Sequence, residues 1–334
     1  MYQILFRLPE FLPVIGGAPI YGYGLMMVIG FFGAMELAKF LARHSKLDPE
    51  LFANAALIAL VAGVAGARIS HVLENISDYT RSDLSFGQNL WNAVNIRSGG
   101  LTYYGGFLLA FPAVLAYGFY KKIPIRLGMD IIAPCLMIGL GVGRIGCYLN
   151  GCCYGAETNV SWAVEFPYHS DAYLEQVHNG EIQVPPDLLK NGQPLSIEEI
   201  KKDPMLTADR RAELLKEASE QHALPVHPAE LYSTLTALLI AAFLVAYFTI
   251  PHAPGRVFAL MLMIESVSRF LLEEIRAEPV FAPFGKHWFG TMSFSMTLSI
   301  PLFLLGAVLW FVFGTRGVWV ERGAEHPKGT LASA

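Results

Sequence analysis

Gly143-Arg144-Ile145-Gly146-Cys147-Tyr148-Leu149-Asn150-Gly151-Cys152-Cys153-Tyr154-Gly155 closes an apolar run that begins near Leu127. An arginine and an asparagine therefore stand inside what hydropathy reads as a membrane helix. A guanidinium at the bilayer centre costs at least about 2.5 kcal/mol on insertion scales, so such a residue faces a polar cavity and acts there. The glycines thin the helix surface and let other backbone, or a ligand, approach closely. The stretch predicts a membrane protein with a polar site inside it.

Composition agrees. The 334 residues are 54% hydrophobic and 16% charged, with mean hydropathy +0.43; an ordinary soluble domain carries about 25% charged residues. Hydropathy gives about seven spans, near 20–42, 52–74, 101–120, 128–149, 229–249, 256–274 and 296–314, each of a length that crosses a roughly 30 Å hydrocarbon core. Arg68 and His71 keep the second span from facing lipid all round and read as a packed polar contact. The net charge of −4 gives no basic bias toward nucleic acid. Cys135, Cys147, Cys152 and Cys153 are too few for a disulfide scaffold. Met1 to Gly17 lacks a basic start followed by a cleavable apolar core, so the first span reads as an uncleaved insertion signal.

Short connections set the orientation. Arg43, Lys46, Lys121, Lys122, Arg126, Arg256, Arg316, Arg322 and Lys328 fall on one side; Arg7, Arg81, Arg97, Arg276 and Lys286 form a sparser set on the other. The positive-inside rule places the N-terminus outside and the C-terminus in the cytoplasm. The fold class expected is an all-α polytopic membrane protein, N-out and C-in, with a small mixed extracytoplasmic insert. Residues 1–155 hold four membrane helices and an outer Gly-rich loop. Residues 156–226 form the insert, 227–316 three further helices, and 317–334 a cytoplasmic tail. Within the insert, Ser161 to Pro167 predicts a short strand with alternating Trp162, Val164 and Phe166. Ser196 with Glu199 is a capping-box pattern at the start of a helix-prone stretch.

On this topology the polar residues gather at the outer face. Tyr23 opens the first span. Ser98 to Gly106, reading SGGLTYYGG, opens the third. Arg144 and Asn150 end the fourth. His227-Pro228-Ala229-Glu230-Leu231-Tyr232 begins the fifth, with Pro228 expected at the first helical position. At about 1.5 Å per residue, Arg144 lies roughly 24 Å above Gly128 and Arg269 roughly 20 Å above Arg256, so both sit at similar depth in the outer half. Glu265, Arg269, Glu273 and Arg276 recur at helical spacing along one stripe. That stripe reads either as a structural ion-pair ladder or as an anion site in which Glu273 orients Arg269. Guanidinium presents a planar fork of donors that suits phosphate. At that depth the phosphate available is a phospholipid headgroup. Tyr104, between two Gly-Gly pairs, is a site candidate, while Cys147, Cys152 and Cys153 lack a metal-ligand spacing with histidine and read as small apolar filling, with a redox link between two of them outside the membrane left open.

RIGCYLNGCCYG over Arg144–Gly155 resembles the signature of the prolipoprotein diacylglyceryl transferase family. So do SGGLTYYGG, HPAELY, Tyr23-Gly24-Leu25-Met26, the Arg269/Glu273 pair and Leu298-Ser299-Ile300-Pro301. These matches spread over most of the chain in order. The resemblance implies a multi-pass enzyme of the bacterial cytoplasmic (inner) membrane. It would move the diacylglyceryl group of phosphatidylglycerol to the lipobox cysteine thiol of prolipoproteins, leaving glycerol phosphate. The catalytic set expected is Tyr104, Arg144 and Arg269, with Tyr23, Gly105, Asn150, Gly155 and Glu273 binding substrate and with no metal or organic cofactor. This chain departs from the family's common pattern at Tyr104 (histidine), Cys147 (asparagine), Cys152 (an acidic residue), Glu265 (an aromatic) and Ser293–Met296, which lacks a glutamine. Two other readings stay open: an outer-face anionic-lipid binding protein or transporter, and a related lipid transferase with a different acceptor. A transporter needs access from both sides and often shows repeats; the sequence has no internal repeat, and Arg68 and His71 alone continue the polar layer inward.

Overall fold

The computed structural model describes residues 4–7, 19–80, 85–95, 100, 102–276 and 293–316. The expected tail 317–334 and Lys286 lie outside them. The order is β1 (Ile4–Arg7), β2 (Pro19–Tyr21), α1 (Gly22–His44), α2 (Pro49–Glu74), α3 (Ile76–Tyr79), α4 (Phe86–Val94), α5 (Tyr103–Tyr120), α6 (Ile125–Asn150), α7 (Asp171–His178), β3 (Leu189–Lys190), β4 (Gln193–Pro194), α8 (Ile197–Lys202), α9 (Ala208–Glu220), α10 (Ala229–Phe248), α11 (Arg256–Glu273) and α12 (Phe294–Arg316). Among the described residues, α1, α2, α6, α10 and Ser295–Gly314 of α12 are long and apolar enough to cross a membrane, and Gly105–Tyr120 is a shorter apolar helix. The chain is thus a mostly helical, multi-pass membrane protein. Helix faces agree: Val28, Ile29 and Phe32 of α1 and Leu235, Leu239 and Phe243 of α10 are exposed, while Glu230, Ser233 and Thr234 of α10 are buried. Apolar faces left open with polar groups turned inward suit a lipid solvent.

Two compact units divide the chain: Ala34–Cys135, and Met1–Gly33 with Leu136–Ala334. In the first, Asp48 starts α2 by accepting from the Glu50 N–H at 2.9 Å, with Pro49 following it. Helices α2 and α5 meet at small residues. A Cβ on Gly105 would stand 2.2 Å from Ser70 Cβ and 2.5 Å from the Gly66 carbonyl oxygen, so only glycine permits this approach. Arg68 is buried and donates to the carbonyls of Asn92 (2.6 Å), Ala93 (2.8 Å) and Gly100 (2.9 Å). It fastens the end of α4 and the Gly100 turn to α2, which is the packed polar role its span position suggests.

In the other unit, glycines again set the spacing. A Cβ on Gly22 would stand 3.0 Å from Leu149, one on Gly146 3.2 Å from the Tyr23 ring, and one on Gly30 3.3 Å from Val142, so α1 lies close along the end of α6. Thr234 of α10 donates to the Gly141 carbonyl at 3.1 Å. Gly306 of α12 faces the Ala259 carbonyl of α11, and Arg256 lies over the Trp310 ring at 4.6 Å.

The insert carries its own core: Phe166, Tyr168, Tyr173, Leu188, Ile200, Leu214 and Val226, with Tyr154 at its base. Ser196 and Glu199 form the reciprocal capping box at α8, at 2.8 and 3.1 Å. Asn191 and Gly192, both at positive φ, turn the β3–β4 hairpin. The strand expected over Ser161–Pro167 is replaced by isolated bridges, Val164 to Val226 and Pro167 to His222. A turn at Ser161-Trp162 breaks the alternation, and Trp162 is exposed because its indole N–H reaches the Tyr232 hydroxyl at 2.7 Å. Phe166 is fully buried. Phe166→Ala is expected to cost the insert about 3–5 kcal/mol, seen as faster proteolysis between residues 156 and 226 at a temperature where the membrane helices stay intact.

Candidate active site

The chain exits α6 through a left-handed cap. Gly151 has φ +77°, and its N–H and that of Cys152 both donate to the Cys147 carbonyl, at 2.9 and 3.2 Å. The turn curls back, and Gly155 then pairs with the end of α11. Its N–H donates to the His227 carbonyl at 2.8 Å, and the Ala156 N–H to the Ile275 carbonyl at 2.9 Å. A Cβ at Gly155 would stand 2.6 Å from both the His227 Cβ and the Ile275 oxygen. Gly155 is therefore the point that binds the α6 turn to the ends of α10 and α11.

Against this frame stand three arginines. Arg144 is half-buried and makes no hydrogen bond or ion pair among the described residues. It lies within electrostatic reach of Tyr23, Cys153, Glu230, Glu265 and Arg269. Arg269 Nη2 donates to Ser295 Oγ at 3.1 Å and pairs with Glu273 Oε2 at 3.3 Å. Glu273 is buried; it also pairs with Arg276 Nη1 at 3.4 Å and accepts from Ser293 Oγ at 3.2 Å. So Glu273 orients Arg269 while α12 steadies both. Arg276 lies past the last residue of α11, so the helical stripe expected from spacing ends at Glu273. Glu273→Leu is expected to cost about 3–5 kcal/mol, because two guanidinium groups lose their buried partner. Glu273→Gln, which keeps an acceptor for Ser293, should unfold at a higher temperature than Glu273→Leu in detergent melting.

Other sequence candidates fall out differently. Asn150 is the last residue of α6, and its side chain makes no hydrogen bond among the described residues. Tyr23 stands beside Gly146, with its ring partly exposed. Gly105 and Tyr104 belong to the Ala34–Cys135 unit. Gly105 is occupied in the contact with α2, and the Tyr104 side chain lies outside what is described. Pro228 precedes the helix as its cap, one residue earlier than expected, and Ala229 takes the first helical position.

Two features escaped sequence reasoning. Glu230, in the first turn of α10, is 1% exposed, and no side chain among the described residues hydrogen-bonds to its carboxylate oxygens. It lies within electrostatic reach of Arg144 and Arg276. The signal was present as an acid inside a membrane span. The second is the convergence of Cys147, Cys152 and Cys153, whose sulfurs lie within 4.8 Å of one another. The spacing looked unpromising because no histidine is near; the left-handed cap brings the three together. Arginine donors, a buried carboxylate and thiols in one polar cluster are equipped to bind an anion and to handle a sulfur nucleophile.

A family model described as prolipoprotein diacylglyceryl transferase matches residues 9–312. Among curated relatives, the phosphatidylglycerol–prolipoprotein diacylglyceryl transferase of Corynebacterium efficiens is 29% identical over 96% of this chain and 83% of its own length. The protein of the same name from Corynebacterium glutamicum is 30% identical over 81% of this chain and 73% of its own. That from Legionella pneumophila is 25% identical over 89% and 93%.

Proposed function

This chain belongs to the prolipoprotein diacylglyceryl transferase family, and from that premise we propose that it transfers the diacylglyceryl group of phosphatidylglycerol to the lipobox cysteine thiol of prolipoproteins. The site of action is the outer face of the bacterial cytoplasmic membrane, with seven spans, the N-terminus outside and the C-terminus inside. The lysine and arginine bias of the short connections supports that orientation. The relatives' names supply the two substrates. The observation that carries the reading is the pairing of Arg144, free of partners among the described residues, with Arg269, held by Glu273 and Ser295.

In the proposed reaction, Arg144 and Arg269 hold the lipid phosphate. They offset the charge that builds on it as the glycerol carbon–oxygen bond breaks. The acceptor thiolate attacks that carbon; a carbon–sulfur bond forms, glycerol phosphate leaves with the electron pair, and one proton is released. Tyr23 lines the headgroup site, Asn150 and Gly155 fix its geometry, and Gly105 shapes the first turn of α5, which bears Tyr104. Tyr104, at the position where the resembling family commonly has histidine, assists loss of the thiol proton. Tyr104→Phe is expected to lower turnover by about 10²-fold, the lower end of what a positioned acid or base contributes, and undiminished turnover would remove the residue from this step.

The reading is tested by headgroup release. Phosphatidylglycerol labelled in its glycerol headgroup should yield water-soluble label only when a lipobox peptide is present. Release without peptide would mark a phospholipase instead, and no release under either condition would leave lipid binding as the function.

A further inference from the structure

Cys147, Cys152 and Cys153 come from different parts of one local fold: the last turn of α6 and the two residues after its left-handed cap. Their three sulfurs lie within 4.8 Å of one another, half-buried, and none is in a disulfide. Sulfurs bound at ~2.3 Å to one tetrahedral zinc are ~3.8 Å apart, so the cluster needs to close by no more than ~1 Å to hold such an ion. Three protein ligands leave the fourth position open, which is the arrangement of a catalytic rather than a structural zinc site. The charge also fits. Three thiolates and a divalent cation carry one net negative charge, and both Arg144 and Arg276 lie within electrostatic reach of Cys153. Packing alone does not require three thiols at one helix end, because alanine or serine fills the same space.

We propose that Cys147, Cys152 and Cys153 bind a thiophilic divalent cation, zinc by chemical class, whose open position takes the thiol of the acceptor cysteine. A coordinated thiol is deprotonated by the ion. The inference rests on the transferase reading and deepens it. The acceptor S–H bond breaks on coordination, and its proton leaves to water. The metal-bound sulfur then forms the carbon–sulfur bond, its lone pair displacing the phosphate oxygen. The ion stays divalent and keeps its three cysteine ligands.

Full-length protein in detergent, reduced and free of chelator, is titrated with zinc and separately with cobalt(II). One equivalent should bind, with sulfur-to-cobalt charge-transfer absorption and tetrahedral ligand-field bands. Each of Cys147→Ser, Cys152→Ser and Cys153→Ser should weaken zinc by on the order of 10–100-fold or more, since even outer-shell changes do that much. The triple variant should bind none. A lipobox peptide added to the cobalt protein should raise the charge-transfer intensity, and the cysteine-to-serine peptide should not. Uptake no greater than that of the triple variant overturns the site. Metal bound with a spectrum indifferent to the thiol peptide overturns the open position. Undiminished turnover after chelation overturns the role in catalysis while leaving the transferase reading intact. A peptide-dependent cobalt spectrum without any transfer supports the metal site and sinks the transferase reading instead.

Discussion

Arg144→Ala should reduce transfer to the lipobox peptide by about 10²–10³-fold, the loss seen when a preorganised donor to developing charge is removed. The protein should still insert and melt near the parent temperature, because Arg144 makes no hydrogen bond or ion pair among the described residues, only longer-range interactions with Glu230 and Glu265. Arg269→Ala should cost turnover similarly. It should disturb the fold more, since Glu273 then relies on Arg276 and Ser293 alone. The kinetic pattern distinguishes binding from catalysis. Charge on the phosphate grows as the carbon–oxygen bond breaks, so kcat should fall more than KM rises. Lysine at either position keeps the charge but loses the planar fork, and it should recover part of the rate. Near-parental turnover in either alanine variant would end the phosphate assignment.

Gly155→Ala should lower turnover by about 10²-fold without removing a single polar group. The added methyl would stand 2.6 Å from the His227 Cβ and from the Ile275 oxygen. Neither can yield cheaply, because both belong to backbone pairing that closes the site: Gly155 to His227 at 2.8 Å and Ala156 to Ile275 at 2.9 Å. The turn must shift by a substantial fraction of an ångström. It carries Cys152 and Cys153 and sits beside Arg276, and a misplacement near 1 Å costs about 10²-fold in a positioned site. Gly139→Ala is the control: an added Cβ there meets nothing within 4 Å in the middle of α6, so activity and stability should hold. Equal loss in both variants would mean that α6 tolerates no added methyl, and the special place of Gly155 would fall.

What could be read from sequence follows the range of the forces involved. Local rules sufficed for the Ser196/Glu199 box and for the half-buried arginine near the end of α6, because both are set within a few residues by backbone donors or by hydropathy. Arg68 could be suspected of packing, yet its partners Asn92, Ala93 and Gly100 come from a separate stretch of chain. The stretch around Val164 alternates like a strand, but its partner near Val226 lies far along the chain and pairs only at isolated points. Spacing rules assume a regular helix or hairpin. They missed the thiol cluster because a left-handed glycine folds Cys152 and Cys153 back toward Cys147. Glu230 was legible as an anomalous acid, but its deep burial without a side-chain partner among the described residues is a tertiary fact. Glycine at 155 matched a motif, while its reason, the approach of His227 and Ile275, needed three dimensions.

The most direct measurement follows peptide mass. Purified protein in detergent is incubated with phosphatidylglycerol and a peptide bearing a lipobox cysteine, and the products are weighed by mass spectrometry. The account predicts a gain of one diacylglyceryl group on the cysteine, stable as a thioether, absent from the cysteine-to-serine peptide and reduced to background in the Arg144→Ala, Arg269→Ala double variant. An unmodified peptide, with phosphatidylglycerol recovered intact from the protein, would contradict it.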